Sequence, residues 1–139
     1  MQIREVMTDQ VNSVRVDTPI SAIARSLRDD DIGSMPVVDR DKLVGMVTDR
    51  DIVTRIVAAD KDPKTCTARD AMSPKVLYCF DDQSVEEVLE NMGDMQIRRL
   101  PVINRDKRLV GIVSLGDLSK AASQAAGNAL REISEPAHH

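Results

Sequence analysis

The chain has no tryptophan, one tyrosine, one phenylalanine and only two cysteines in 139 residues. Each shortage excludes something. Unpaired nucleobases would find almost no aromatic platform to stack on, and 19 basic against 23 acidic side chains leave a net charge of −4, so a nucleic-acid partner is not expected. Cys66 and Cys79 lack CxxC spacing and read as ordinary thiols of a reducing compartment, Cys79 buried in a strand. The only histidines, His138 and His139, follow Pro136 at the very end, either native or the remnant of a tag, and metal binding is set aside. No apolar run is long enough to cross a bilayer and Met1-Gln2-Ile3-Arg4-Glu5-Val6 has no signal-peptide core, so a cytoplasmic location without a membrane partner is expected.

What is present is aliphatic. Hydrophobic residues make up 42% of the chain, and a domain of this size buries roughly two-thirds of its unfolded surface, so a core of Val, Ile, Leu, Met and Ala is expected.

An internal repeat organises the chain. Arg4 to Ile52 aligns on Arg69 to Leu118, with one insertion at Arg108, and 16 of the 49 pairs are identical, against roughly three expected from composition. Met7 matches Met72, Asp17 matches Asp82, Pro36-Val37 matches Pro101-Val102, Leu43-Val44-Gly45 matches Leu109-Val110-Gly111, and Asp51 matches Asp117. Each copy reads as β-α-β-β-α. Thr18-Pro19 is expected to open the first helix with Pro at its first position, and Ser84-x-x-Glu87 to form a capping box for its counterpart. Ile20, Ile23, Ala24 and Leu27, and likewise Val85, Val88, Leu89 and Met92, fall on one helical face. Met35 to Val38 and Leu100 to Ile103 read as strands, followed by polar turns and the strands Leu43 to Val47 and Leu109 to Val113. Second helices are expected over Asp49 to about Ala59 and Leu115 to about Ala126. The organisation is therefore a first repeat over 1–59, a polar linker over 60–67, a second repeat over 68–126 and a tail over 127–139 that extends the last helix or frays. One such repeat cannot cover its own sheet and helices, so the fold class is a mixed α/β sandwich in which two copies pack by pseudo-twofold symmetry.

The strand-to-helix junctions carry the chemistry. Gly45-Met46-Val47-Thr48-Asp49-Arg50-Asp51 places Thr48 as a helix N-cap, and the backbone amides beyond it are expected to be free for phosphate. Asp51, one turn on, suits the two hydroxyls of a ribose. Gly111-Ile112-Val113-Ser114-Leu115-Gly116-Asp117 repeats the arrangement. The same Thr-x-x-Asp spacing is close to that of a capping box, and the local pattern alone favours capping over ligand binding.

The tandem repeat, with its hydrophobic-Pro-hydrophobic-hydrophobic strand and Gly-hydrophobic-Val-(Thr/Ser)-x-x-Asp motif, resembles the paired cystathionine beta-synthase (CBS) domains, or Bateman module, over Arg4 to about Ala122. The resemblance implies a regulatory sensor whose clefts between the repeats bind AMP, ADP, ATP, NAD or S-adenosylmethionine, with Asp51 and Asp117 on ribose and Thr48 and Ser114 near phosphate. In nucleotide-sensing members the pair corresponding to Arg98-Arg99 contacts phosphate, a standard use of arginine. The two clefts differ: Gly33-Ser34 stands where the second repeat has Arg98-Arg99, and Arg50 where it has Gly116. The Asp117 cleft is expected to use Arg98, Arg99 and the backbone near Thr8 to Val11, the Asp51 cleft Thr48, Arg50 and the backbone near Ser73 to Val76, and the Asp117 cleft is the one favoured for occupancy. The resemblance further implies a symmetric homodimer joined through the second helices, and a regulated partner protein that the sequence does not name. With no nucleophile–base pair, catalysis and an obligatory cofactor are not expected. The rival reading is a ligand-free interaction module acting through homodimerisation.

Overall fold

The structure, a computed structural model, describes residues 1–93 and 98–134. The repeat pattern read from the sequence is present twice, as a mixed α/β arrangement of two three-stranded sheets and five helices. In chain order the elements are β1 (Val14–Arg15), α1 (Ile20–Asp29), β2 (Ser34–Asp39), β3 (Lys42–Thr48), α2 (Asp49–Ile52), α3 (Ala68–Ala71), β4 (Cys79–Phe80), α4 (Val85–Gly93), β5 (Arg99–Ile103), β6 (Leu109–Ser114) and α5 (Leu115–Ser134). The sheets have the orders β1-β2-β3 and β4-β5-β6. In each, the short first strand runs parallel to the second, Val14 opposite Val37 and Cys79 opposite Val102. β2 and β3 are antiparallel, with a bulge between Val37 and Val38.

The chain forms two compact units that are not the sequence repeats taken whole. Unit 1 comprises Met1–Gln10, Tyr78–Asn104 and the chain from Val110 on, whereas unit 2 comprises Val11–Leu77 and Arg105–Leu109. The boundaries 1–59 and 68–126 are sequence boundaries; in space the opening residues of each repeat complete the other repeat's core. Unit 2 buries Ile20, Ile23 and Leu27 of α1 against Met35, Val37 and Val47 of the sheet, together with Ala68 and Ala71 of α3. Unit 1 buries Val85, Val88 and Met92 of α4 with Leu100, Val102 and Val113, and draws in Ile3 from the N-terminal segment. Fully burying one such aliphatic side chain contributes about 1.5–3 kcal/mol, so these stripes hold the helices to their sheets. The two lone aromatic rings, Tyr78 and Phe80, meet edge to face at 5.6 Å in unit 1.

Two local readings are corrected. Thr18 does not cap α1: its hydroxyl accepts the Arg15 amide, Pro19 occupies the cap position, and the Ile20 and Ser21 amides donate to the carbonyls of Cys66 and Pro63. Backbone from the 60–67 linker thus supplies the partners a capping side chain would have given. The second helix of the first repeat is not one α-helix over 49–59; α2 ends at Ile52 and the chain continues as a π-helical turn over Val53–Val57. Two short helical pieces, a 3-10 turn at Ile3–Glu5 and α3, lie in segments too brief to show periodicity. α5 reaches Ser134, so the tail extends the last helix as far as it is described. His138 and His139 lie outside the described residues.

Candidate functional site

Each unit builds its strand-to-helix junction on a crossing of backbone over a glycine. In unit 2, Ser73 pairs with Met46 through reciprocal bonds of 2.8 and 3.1 Å, which draws Met72-Ser73 across β3. A Cβ built at Gly45 would lie 2.7 Å from Met72 Sδ and 2.9 Å from the Ser73 carbonyl oxygen. In unit 1, Thr8 pairs with Ile112 through two bonds of 2.9 Å, and a Cβ at Gly111 would lie 2.5 Å from Met7 Sδ and 3.0 Å from the Thr8 carbonyl oxygen. The glycine of each motif is therefore required by close backbone approach. These crossings bring Ser73 beside the Thr48–Asp51 junction and Thr8 beside the Ser114–Asp117 junction; Val11 falls in the other unit.

In unit 2 the junction is closed on itself. The Asp51 amide donates to Thr48 Oγ1 at 3.0 Å and Asp51 Oδ2 accepts the Thr48 amide at 3.0 Å, a reciprocal capping box. The Asp49 amide donates to the Gly33 carbonyl at 3.0 Å and the Arg50 amide to Asp49 Oδ1 at 2.7 Å. The three amides beyond Thr48, expected to be free, all have partners: a backbone carbonyl, a carboxylate and the Thr48 hydroxyl. The Asp51 side chain is only 17% exposed, and Oδ1 faces Arg55 Nε at 3.9 Å. Arg55 also donates to the carbonyls of Ala71 (3.2 Å) and Met72 (2.9 Å), so it ties the crossing segment to the helix that carries Asp51. Sequence reasoning passed over Arg55, although its i,i+4 spacing from Asp51 is the signal that finds it.

Unit 1 keeps the frame and opens the junction. The Asp117 amide donates to Ser114 Oγ at 3.0 Å, yet among the described residues the exposed Asp117 carboxylate has no hydrogen bond or ion pair. The Leu115 amide donates to the Arg98 carbonyl at 2.7 Å, which fixes Arg98 beside the first residue of α5. Arg98 and Arg99, the latter opening β5, are exposed and form no ion pair among the described residues. A Cβ at Gly116 would meet only Ser114 Oγ, at 4.0 Å, so space is open where unit 2 carries the exposed Arg50. Of the seven expected site residues, Ser114, Asp117, Arg98 and Arg99 thus come together in unit 1, and Thr48, Arg50 and Asp51 in unit 2.

Among the described residues no three His, Cys, Asp or Glu side chains converge so as to hold a metal ion, and no helix is long and apolar enough to cross a membrane.

The profile of the CBS domain matches residues 3–58 and 68–124. The chain belongs to the CBS domain family. Its CBS pair is 42% identical over 138 residues to the Bacillus subtilis protein YlbB, covering 96% of this chain and 92% of that one. Hypoxic response protein 1 of Mycobacterium tuberculosis is 40% identical over 118 residues, 84% of this chain and 82% of that protein. Among solved structures, hypoxic response protein I with two coordinated zinc ions superposes with a TM-score of 0.76 at 38% identity, covering 87% of this chain and 98% of that one. The CBS domain pair of protein MJ0100, in complex with 5′-methylthioadenosine and S-adenosyl-L-methionine, superposes with a TM-score of 0.72 at 26% identity, covering 90% and 98%.

Proposed function

We propose that this CBS pair is a non-catalytic regulatory protein that binds an adenosine-containing ligand and passes its occupancy to a partner protein through a change of shape or exposed surface. The observation that carries the reading is the junction of unit 1, where the Arg98 carbonyl is bonded to the first amide of a 20-residue helix while the Asp117 carboxylate and the Arg98 and Arg99 side chains are exposed beside it. A carboxylate accepts both hydroxyls of a ribose, and two guanidinium groups next to a helix N-terminus receive phosphate. The adenosyl ligands of the MJ0100 CBS pair support the same ligand class. In this reading Asp117 and Asp51 hold ribose, and in unit 1 Ser114 lies near phosphate while Arg98 and Arg99 bind it.

Titration calorimetry tests the assignment. Asp117→Ala removes a charged acceptor contributing about 1.5–3 kcal/mol, so the affinity of the unit 1 site for adenosine, ADP and ATP falls together by about 10- to 100-fold. Arg98→Ala and Arg99→Ala weaken ADP and ATP more than adenosine. If no adenosyl compound binds wild type below millimolar concentration, the sensor reading is wrong. The interaction-module reading then takes its place, favoured by Val53 and Val57, which are 56% and 60% exposed one turn apart.

A further inference from the structure

The two junctions differ most at the point where a phosphate would be received. Position by position, Gly33, Ser34, Asp49 and Arg50 of unit 2 stand where unit 1 has Arg98, Arg99, Leu115 and Gly116, while the Asp and the Thr/Ser of the motif are kept. The formal charges of these residues with the motif Asp come to −1 in unit 2 and +1 in unit 1. The geometry sharpens the contrast. Asp49 Oδ1 takes the Arg50 amide at 2.7 Å, and Oδ2 lies 3.6 Å from where a Cβ at Gly33 would be. The Asp49 carboxylate therefore lies against the position that carries Arg98 in unit 1, and it holds an amide of the helix start as an oxyanion of a phosphate would.

We propose that Asp49 is a specificity-determining residue that excludes phosphate from the Asp51 site, so that unit 2 takes a phosphate-free adenosyl compound while unit 1 takes a phosphorylated one. The inference rests on the adenosyl reading above and names the ligand class of each site. A phosphate approaching α2 meets Asp49 in place of a free amide and is repelled by its charge. Arg55, directed at Asp51 and at the Ala71 and Met72 carbonyls, is held away from that role. At the ribose end Asp51 Oδ2 accepts the Thr48 amide, whereas Oδ1 accepts no hydrogen bond among the described residues and faces Arg55 Nε at 3.9 Å, which leaves its acceptor capacity for a hydroxyl donor.

The test uses full-length protein carrying Asp117→Ala, which leaves the Asp51 site to report, titrated calorimetrically with 5′-methylthioadenosine and with AMP. Methylthioadenosine is expected to bind about tenfold or more tightly than AMP. Asp49→Asn keeps an acceptor for the Arg50 amide and removes the charge, so the AMP-to-methylthioadenosine affinity ratio rises about fivefold, and the rise shrinks in about 0.5 M NaCl because it is electrostatic. Asp49→Ser serves the same purpose should the asparagine variant melt early. The proposal is overturned if AMP binds the Asp117→Ala protein as well as methylthioadenosine does, or if neither Asp49 variant moves the ratio. It is also overturned, with the unit 1 reading left standing, if Asp117→Ala abolishes all binding while wild type binds AMP. If wild type binds neither compound, both readings fall together.

Discussion

Cys79 shows how one buried side chain makes the fold sensitive to pH. Its thiol is 2% exposed in β4, and burial, followed by the nearby Asp81 charge, pushes its pKa from 9.0 up to about 12. An acid raised in the folded state stays protonated there while the unfolded chain releases its proton, so its stabilising contribution is complete below about pH 9 and is lost as pH rises towards 12. The slope is at most about 1.4 kcal/mol per pH unit. Cys79→Ala forfeits some packing at every pH but escapes this loss. The stability gap between wild type and variant in urea unfolding should therefore narrow by about 2 kcal/mol between pH 8 and pH 10.5. A constant gap would show that the thiol ionises as readily folded as unfolded.

The element that distinguishes this fold from a plain sandwich is the short segment that crosses a glycine of each central strand. Gly45→Val and Gly111→Val press a branched side chain into Met72-Ser73 and Met7-Thr8 respectively. A methionine can swing aside, but the carbonyls of Ser73 and Thr8 are held by their bonds to Met46 and Ile112. Each change should cost about 1–3 kcal/mol or more and lower the melting temperature by several degrees. Calorimetric melting at wild-type temperature for either variant would show that the crossing relaxes without cost. The strands, the long helices and the glycine of the motif were legible in the sequence because each is marked by periodicity or by duplication. The crossings were legible only in part: Met7 and Met72 aligned with each other, but nothing local says that residues 1–10 join the core built by α4, β5, β6 and α5. The site was legible to the same depth. Duplication picked out Asp51 and Asp117, whereas the partition of three helix-start amides depends on the approach of the Gly33 carbonyl and on the rotamers of Asp49 and Thr48, which spacing does not encode.

Across the whole molecule, the most exposed large hydrophobic side chains among the described residues, Val57 and Val53, sit on the π-helical turn after α2. Val53 and Val57 face outwards while Ile52 and Ile56 are buried. Neighbouring apolar side chains left in water mark an association surface, and one patch used twice about a twofold axis closes a dimer. Light scattering at tens of micromolar should give twice the chain mass, and Val53→Glu with Val57→Glu should return it to that of a single chain. A monomeric wild type would count against the dimer. The exchange of opening segments has a consequence for how the protein is made. Residues 1–10 are synthesised well before the residues they pack against: Ile3, fully buried in the finished unit 1, has its partners only once the chain from Cys79 on, through to the start of α5, has followed. At about 5–20 residues per second that delay lasts several seconds to some twenty seconds. During that interval residues 1–10 can meet the same partners on a neighbouring nascent chain, so crowded polysomes should yield more segment-swapped assemblies than dilute translation, a difference that size-exclusion chromatography of the two products would read.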